Sequence, residues 1–404
     1  MKKPQRLPPV WVMGLANATF GLMGGFTVVT LPQMLAAQGV PGGRIAEIVA
    51  ISTSPTFWIF LVSPMLDVRF RRRTYALVFA ALTAAAAAIT VLHHRNVMVV
   101  EAVMTAGFAA AALFAGSVGG WTGSLIEKDQ DSSLGIWFSV ANAGAGSLMI
   151  FMGGAIVNRW SLPVVATLVA LLILLPMLLF LLIPAPAPDP TLASESFSRF
   201  WREVASLLKR REVLIALALF VLPSGSFALT NVLAGVGHDF SASQRAVSLY
   251  SGIATSVAGI GGSFLLKPLA KRFPLRPLYL GIGIVGALFT LSLLLLPRVS
   301  WTFGVADIGE NIFQALAFAA SYAITFEVIG PGNPLAATVF SVLCSAIALP
   351  VVYMGYLDGR GYDWRGLTGS FLTDALLGLT ACTLLAFGLA RLRSLRTRVY
   401  EPAD

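Results

Sequence analysis

Apolar runs of about twenty residues, each ended by a short polar or basic segment, repeat along the whole chain, and this repeat admits very few folds. Inside hydrocarbon every backbone N–H and C=O must be satisfied within the protein, which leaves helices or a closed barrel. Barrel strands are only about 9–11 residues long, so these runs read as helices. Twelve spans are predicted, at about 10–36, 44–66, 74–92, 97–125, 132–157, 162–183, 213–236, 244–268, 277–296, 300–328, 334–357 and 368–390. Composition agrees: 12% of the 404 residues are charged, against roughly 25% in a soluble domain.

The basic residues set the orientation. With the N-terminus inside, Lys and Arg cluster on the cytoplasmic side: Lys2, Lys3 and Arg6, then Arg69 and Arg71–Arg73, Lys128, Arg199–Arg211, Lys267–Arg276 and Arg391–Arg398. Twenty-one of the 28 fall there, and seven fall in outer loops. This bias places both termini in the cytoplasm. It also accounts for the net charge of +9 without nucleic acid, which is not expected as a partner. No basic residue lies deep in a span, so an acid there has no intramembrane cation to pair with. Met1–Pro9 is basic, but the apolar run that follows is too long for a cleaved signal.

Cys344 and Cys382 lie inside apolar runs, and His93, His94 and His238 in short connections. None of these forms a metal or disulfide pattern, and no cofactor is expected. No phosphate-binding glycine loop and no nucleophile–base cluster appears, so an enzyme is not expected.

The stretch Trp301–Glu327 carries the chemistry. Asp307, Glu310, Asn311 and Gln314 follow at i, i+3, i+4 and i+7, on one helical face that Ser321 and Thr325 extend. A charged side chain at the bilayer centre costs at least about 2.5–3.5 kcal/mol. Two carboxyls one turn apart therefore need a watery cavity, a proton, or a partner. Either they join this helix to its neighbours, or they bind and release protons beside a transported solute. On the second reading Glu310 and Asp307 couple protons, Asp307 being the wetter of the two. Asn311 and Gln314 offer amides to a polar substrate.

Pro184–Arg211 divides the spans six and six. It begins PAPAPDP, a stiff extended segment. It continues as an amphipathic stretch with Phe197, Phe200, Trp201, Val204, Leu207 and Leu208 opposite Arg199, Arg202, Lys209 and Arg210. That stretch suits either a helix on the inner leaflet or a solvated linker helix. The basic turns SPMLDVRFRRRTYAL and LLKPLAKRFPLRPLYL occupy corresponding places in the two halves, which suggests paired repeats with a site near the midplane.

This layout resembles the major facilitator superfamily. That family's second-span loop runs G-x-x-x-D-R-x-G-R-R; Asp67, Arg71 and Arg72 match it, while Ser63, Val68 and Phe70 depart from it. Ser54–Arg73, Glu310–Tyr322 and Ala336–Pro350 resemble the branch containing the AmpG-type muropeptide permeases, acetyl-CoA transporters and siderophore importers. The fourth span departs from the permeases: GSVGGWTGSLIEKDQD has no intramembrane acid.

The resemblance implies an all-α membrane protein with twelve transmembrane helices as two six-helix halves, residues 1–183 and 213–404, joined by a cytoplasmic linker, 184–212. It implies a monomeric transporter of the bacterial inner membrane, importing a polar, medium-sized solute such as a muropeptide or siderophore with protons. Asn17, Trp121, Asn142 and Asn231 join Asn311 and Gln314 as expected substrate contacts. Asp67, Arg71 and Arg72 are expected to latch the inner gate, as a wet ion pair worth about 0–1 kcal/mol. Glu47, Glu101 and Asp374, near outer span ends, are expected to snorkel or pair locally. A proton-antiport exporter, a membrane enzyme acting on a lipid-linked substrate, and a non-transporting sensor are the alternatives.

Overall fold

The computed structural model describes residues 7–156, 160–186, 202, 204–206, 209–233 and 235–399. Lys2, Lys3, Arg6, Arg159 and the linker residues 187–201, 203, 207 and 208 lie outside the described residues, and with them most of the amphipathic-helix reading.

Every described regular element is helical, as long apolar runs require. Among the described residues, ten helices are long and apolar enough to cross a membrane. They are α1 (Val10–Ala36), α2 (Gly42–Leu61), α3 (Arg72–Leu92), α4 (Val97–Gly123), α5 (Asp131–Gly153), α6 (Leu162–Leu181), then Gln244–Ala270, Leu275–Leu293, Ser300–Ile329 and Ala336–Arg391. The last is two helices in one, because Arg365 (φ −141°, ψ 25°) and Gly366 (φ 60°, ψ −148°) break it. Gly366 sits where a Cβ would be strained, so the reversal depends on glycine there. The expected seventh span is present in two short pieces, Arg211–Val221 and Leu229–Leu233. With that span as α7, the rest are α8 to α10, then α11 (336–364) and α12 (367–399). The architecture is consistent with the twelve crossings expected.

The interruption of α7 follows from Pro223-Ser224-Gly225, which cannot continue the hydrogen-bond ladder. The freed carbonyls find other donors. The Ser224 hydroxyl donates to Leu219 O at 2.6 Å, Cys382 Sγ contacts Ser224 O at 3.4 Å, and the Gln314 amide donates to Phe227 O at 3.1 Å. Irregular backbone at membrane depth survives only with such substitutes. Two helices carry a π turn, Phe26–Thr30 in α1 and Ala254–Ala258 in α8. In α1 the cause is local: Pro32 has no N–H to offer the carbonyl one turn back.

The chain folds into two compact units. One comprises Met1–Leu214 with Tyr322–Ser345; the other comprises Ile215–Ser321 with Ala346–Asp404. The first unit's core is built on Met23, Phe26, Met104, Phe108 and Ile173, where α1, α3, α4 and α6 meet. The second unit has a core on Leu229, Phe240, Phe303 and Phe371.

Candidate functional site

In the first unit two of the residues expected at the gate, Asp67 and Arg72, join a hydrogen-bonded cluster, here called the lock. Asp67, at the end of the short turn Ser63–Asp67 that follows α2, is 3% exposed. Its Oδ1 accepts from Arg72 Nε at 2.9 Å and from the Ala337 N–H at 3.1 Å. Its Oδ2 accepts from the Thr338 N–H at 2.8 Å and the Thr338 hydroxyl at 2.7 Å. Asp67 thus caps the first turn of α11 from another helix, where free N–H groups and the helix dipole favour an anion. Arg72 continues the lock, donating to Ser124 Oγ at 3.2 Å and to the carbonyls of Asn333 at 3.1 Å and Pro334 at 2.8 Å.

This corrects the expectation of a wet, weak ion pair. The carboxylate is dry and saturated, a setting in which losing one partner costs about 3–5 kcal/mol. Arg71, by contrast, is exposed beside it. The connecting turn is strained: Arg69 adopts φ +70°, a left-handed conformation that costs a non-glycine residue roughly 1–2 kcal/mol.

The glycines of α4 make the lock possible. A Cβ on Gly120 would collide with the backbone of Ala337, and one on Gly119 with the Phe340 ring. Gly116 faces Ser341 and Gly123 faces Phe326 in the same way. Small residues let helices approach closely in a membrane. The acid-free end of the fourth span is therefore a packing surface for residues 326–341. Trp121 belongs to the same packing: it is 1% exposed, its indole N–H donates to Pro184 O at 2.8 Å, and its ring meets Phe180 edge-on. Asn17 and Asn142 lie deeper in the unit, in a relay that ends on Tyr322. Asn17 Nδ2 donates to Asn142 Oδ1 at 3.0 Å, and Asn142 Nδ2 to the Tyr322 hydroxyl at 2.9 Å. Asn17 Oδ1 is buried without a partner.

The second unit holds the acid stripe, and the structure sends its members to different neighbours. Asp307 turns to α8, where the Ser251 hydroxyl donates to Oδ2 at 2.5 Å; Asn311 Nδ2 donates to its Oδ1 at 3.1 Å. Ser251 lies three residues before the π turn of α8, a feature often found at functional positions. Gln314 Nε2 reaches Phe227 O and, at 2.9 Å, Thr230 Oγ1, so its amide nitrogen holds the break in α7. Asn231, the next residue, is exposed.

Glu310 faces elsewhere. It is fully buried, Oε1 accepts from the Thr290 hydroxyl of α9 at 2.5 Å, and Oε2 has no partner. The acids that act on it electrostatically are Asp374 of α12 and Asp307 on its own helix. Asp374 is 8% exposed, which overturns the expectation of a snorkelling side chain. Sequence reading also missed Asp358. It is fully buried on α11, with neither carboxyl oxygen partnered, and it interacts electrostatically with both Asp374 and Glu310. The signal was obscured because GYLDGRGYDWRG looks like a polar loop, whereas α11 continues through it. Wetter acids behave as expected: Glu47 and Glu101 pair with Arg44 at 2.6 and 2.5 Å.

Among solved structures, the chain is similar to that described as the crystal structure of the human organic anion transporter MFSD10 (TETRAN), with a TM-score of 0.71 and 17% identity. The likeness covers 94% of this chain and all of that one, and at this identity it establishes the fold. No curated protein matches the sequence. The family model of the Major Facilitator Superfamily matches residues 13–304, well over half of the chain. A helical membrane protein with this fold and that match belongs to the Major Facilitator Superfamily of membrane transporters.

Proposed function

We propose that the chain is a proton-coupled importer of a polar, medium-sized organic solute, working by alternating access in a bacterial inner membrane with both termini inside. The observation that carries the proton coupling is Glu310: fully buried, held by one hydroxyl, one oxygen unpartnered, and in no ion pair among the described residues. A change in the surroundings of a carboxyl so placed changes the balance between its neutral and charged forms. Asp307 is its ionisable neighbour one turn away.

The lock supports alternating access. It ties Asp67 and Arg72, on the 1–183 side of the linker, to residues 333–338 on the other side, through hydrogen bonds that can be made or broken as a set. Asn17, Asn142, Asn311 and Asn231 are proposed substrate contacts with Gln314, whose carbonyl oxygen is its available end. Trp121 is proposed to act through the packing it secures. The likeness of Ser54–Arg73 and Glu310–Tyr322 to the muropeptide-permease and siderophore-importer branch favours import of such solutes. A proton-antiport exporter is the competing reading.

Uptake into proteoliposomes under an imposed pH gradient tests this, with radiolabelled anhydromuropeptide and ferric siderophores as probes. Accumulation with the proton gradient, lost in Glu310→Gln while exchange persists, is expected. Accumulation in Glu310→Gln equal to wild type removes Glu310 from coupling, and proton flux opposite to solute indicates the exporter.

A further inference from the structure

Glu310 is one of three buried carboxyls on three successive helices of the second unit: Glu310 on α10, Asp358 on α11 and Asp374 on α12. Sequence distance alone gives no hint of this grouping. The close crossing of α11 and α12 creates it. Gly361 and Gly369 approach so nearly that a Cβ on either would strike the other's backbone. Asp358 sits just before that crossing and Asp374 just after it. At 1.5 Å per residue, Asp358 and Asp374 lie about 10 Å from the α11–α12 turn, and Glu310 lies about 15 Å from the start of α10.

Three carboxyl oxygens in this group, Glu310 Oε2 and both oxygens of Asp358, are buried without any hydrogen-bond partner. Among the described residues none of the three side chains forms an ion pair. Among the described residues no three acidic, His or Cys side chains are placed to hold a metal ion together. The groups are thus too spread to share one cation, yet near enough for Asp374 to act on both of the others and for Glu310 to act on Asp358. The species that can satisfy such a set is the proton, bound one per carboxyl. Asp374, at 8% exposed against zero for the other two, is the most accessible member.

We propose that Asp358 is a second proton-binding site, and that with Asp374 and Glu310 it forms a three-carboxyl proton store reached through Asp374. This deepens the proton-coupled reading above and rests on it. It replaces the pair Glu310–Asp307 by a set in which Asp307 is peripheral. Each loading event forms one O–H bond on a carboxyl and needs no other reactant. The titratable groups facing the store are its own three members and Asp307, with the hydroxyl of Thr290 on α9.

The test needs no transported solute. Infrared difference spectroscopy of the full-length protein in lipid follows the protonated-carboxyl C=O stretch as pH is varied. Wild type is expected to titrate in successive steps. Asp358→Asn is expected to remove one step and to move the midpoint of those remaining by about one pH unit, the scale of interacting sites. Asp358→Glu, retaining a carboxyl, is expected to restore the step, which separates proton binding from a folding defect. An Asp358→Asn titration identical to wild type, or one step lost with the others unmoved, overturns the proposal. An unchanged infrared result beside uncoupled uptake in Glu310→Gln sinks the store but leaves Glu310 as carrier. The reverse pair of results sinks the coupling reading alone.

Discussion

Asp67 and Glu310 are both acids inside a membrane protein, both almost wholly removed from water, and they are built in opposite ways. Asp67 has a guanidinium, two backbone N–H groups and a hydroxyl directed at its two oxygens. Glu310 has one hydroxyl, an empty oxygen and acidic neighbours. The first environment is saturated with donors, so its energy resides in geometry: separate the partners and several bonds fail together. The second stabilises charge poorly, so its energy responds to protons. The count of donors around a buried acid, more than its burial, separates a mechanical part from a chemical one.

The largest effect is expected from breaking the saturated site. Asp67→Ala strands Arg72 and uncaps α11, and the locked state should lose about 3–5 kcal/mol. A shift of about 5.5 kcal/mol carries a two-state equilibrium from 99:1 to 1:99, so most of the locked population should disappear. Spin labels on Arg71→Cys and Pro331→Cys, both exposed positions of the first unit, read this in a background with Cys344→Ser and Cys382→Ser. The short distance should vanish in Asp67→Ala. If it persists, the lock is held by something other than this carboxylate.

Gly120→Ala attacks the same lock without touching its charges. The added methyl meets the backbone of Ala337 rather than a side chain that can swing aside. Overpacking of this kind typically costs about 1–3 kcal/mol. The same label pair should show a reduced but surviving short distance, and a fully retained one would mean that α4 yields instead.

At the unsaturated site the expected loss is of coupling, not of fold. Glu310→Gln keeps the Thr290 contact and removes the titrating group. Gradient-driven accumulation of the probe solutes should drop by about 5–150-fold, the usual span of a coupling energy of 1–3 kcal/mol. Melting temperature should stay within a few degrees of wild type. A marked fall in stability would show that Glu310 is a structural acid like Asp67, and the comparison would fail at its centre.

The legibility of these two sites in the sequence differed for related reasons. Helical spans, their approximate ends and the importance of Asp67, Arg72 and Glu310 follow from hydropathy, spacing and the penalty on buried charge, all of which are local. The saturation of Asp67 was hidden, because its donors at Ala337 and Thr338 lie some 270 residues away. Asp358 was hidden because glycines and charges around it imitate a loop, and only its neighbours on α10 and α12 reveal it as buried. Gln314 is an amide in a span and demands partners; the one its nitrogen finds, the broken backbone of α7, could not be read from the sequence. Sequence identifies a polar group that must be satisfied, whereas what satisfies it is a matter of tertiary packing.

Asp307 lies between the two extremes and gives the finest test of the donor-count rule. It is nearly as buried as Asp67, with a donor on each oxygen, from Ser251 and Asn311, but no cation. Asp307→Asn retains a side chain of the same shape, and its carbonyl can still accept from either donor. The expected penalty is the strength of a single interhelical hydrogen bond, about 0.6 kcal/mol, or a shift of roughly 1–2 °C for a chain of this size. Gradient-driven accumulation should remain within about twofold of wild type, since a charge acting from the periphery of the store changes its balance only slightly. Full uncoupling in Asp307→Asn with normal stability would reverse the assignment. Protons would then travel by way of the hydrogen-bonded acid on the α8 side, and the number of donors would cease to distinguish a carrier from a clasp.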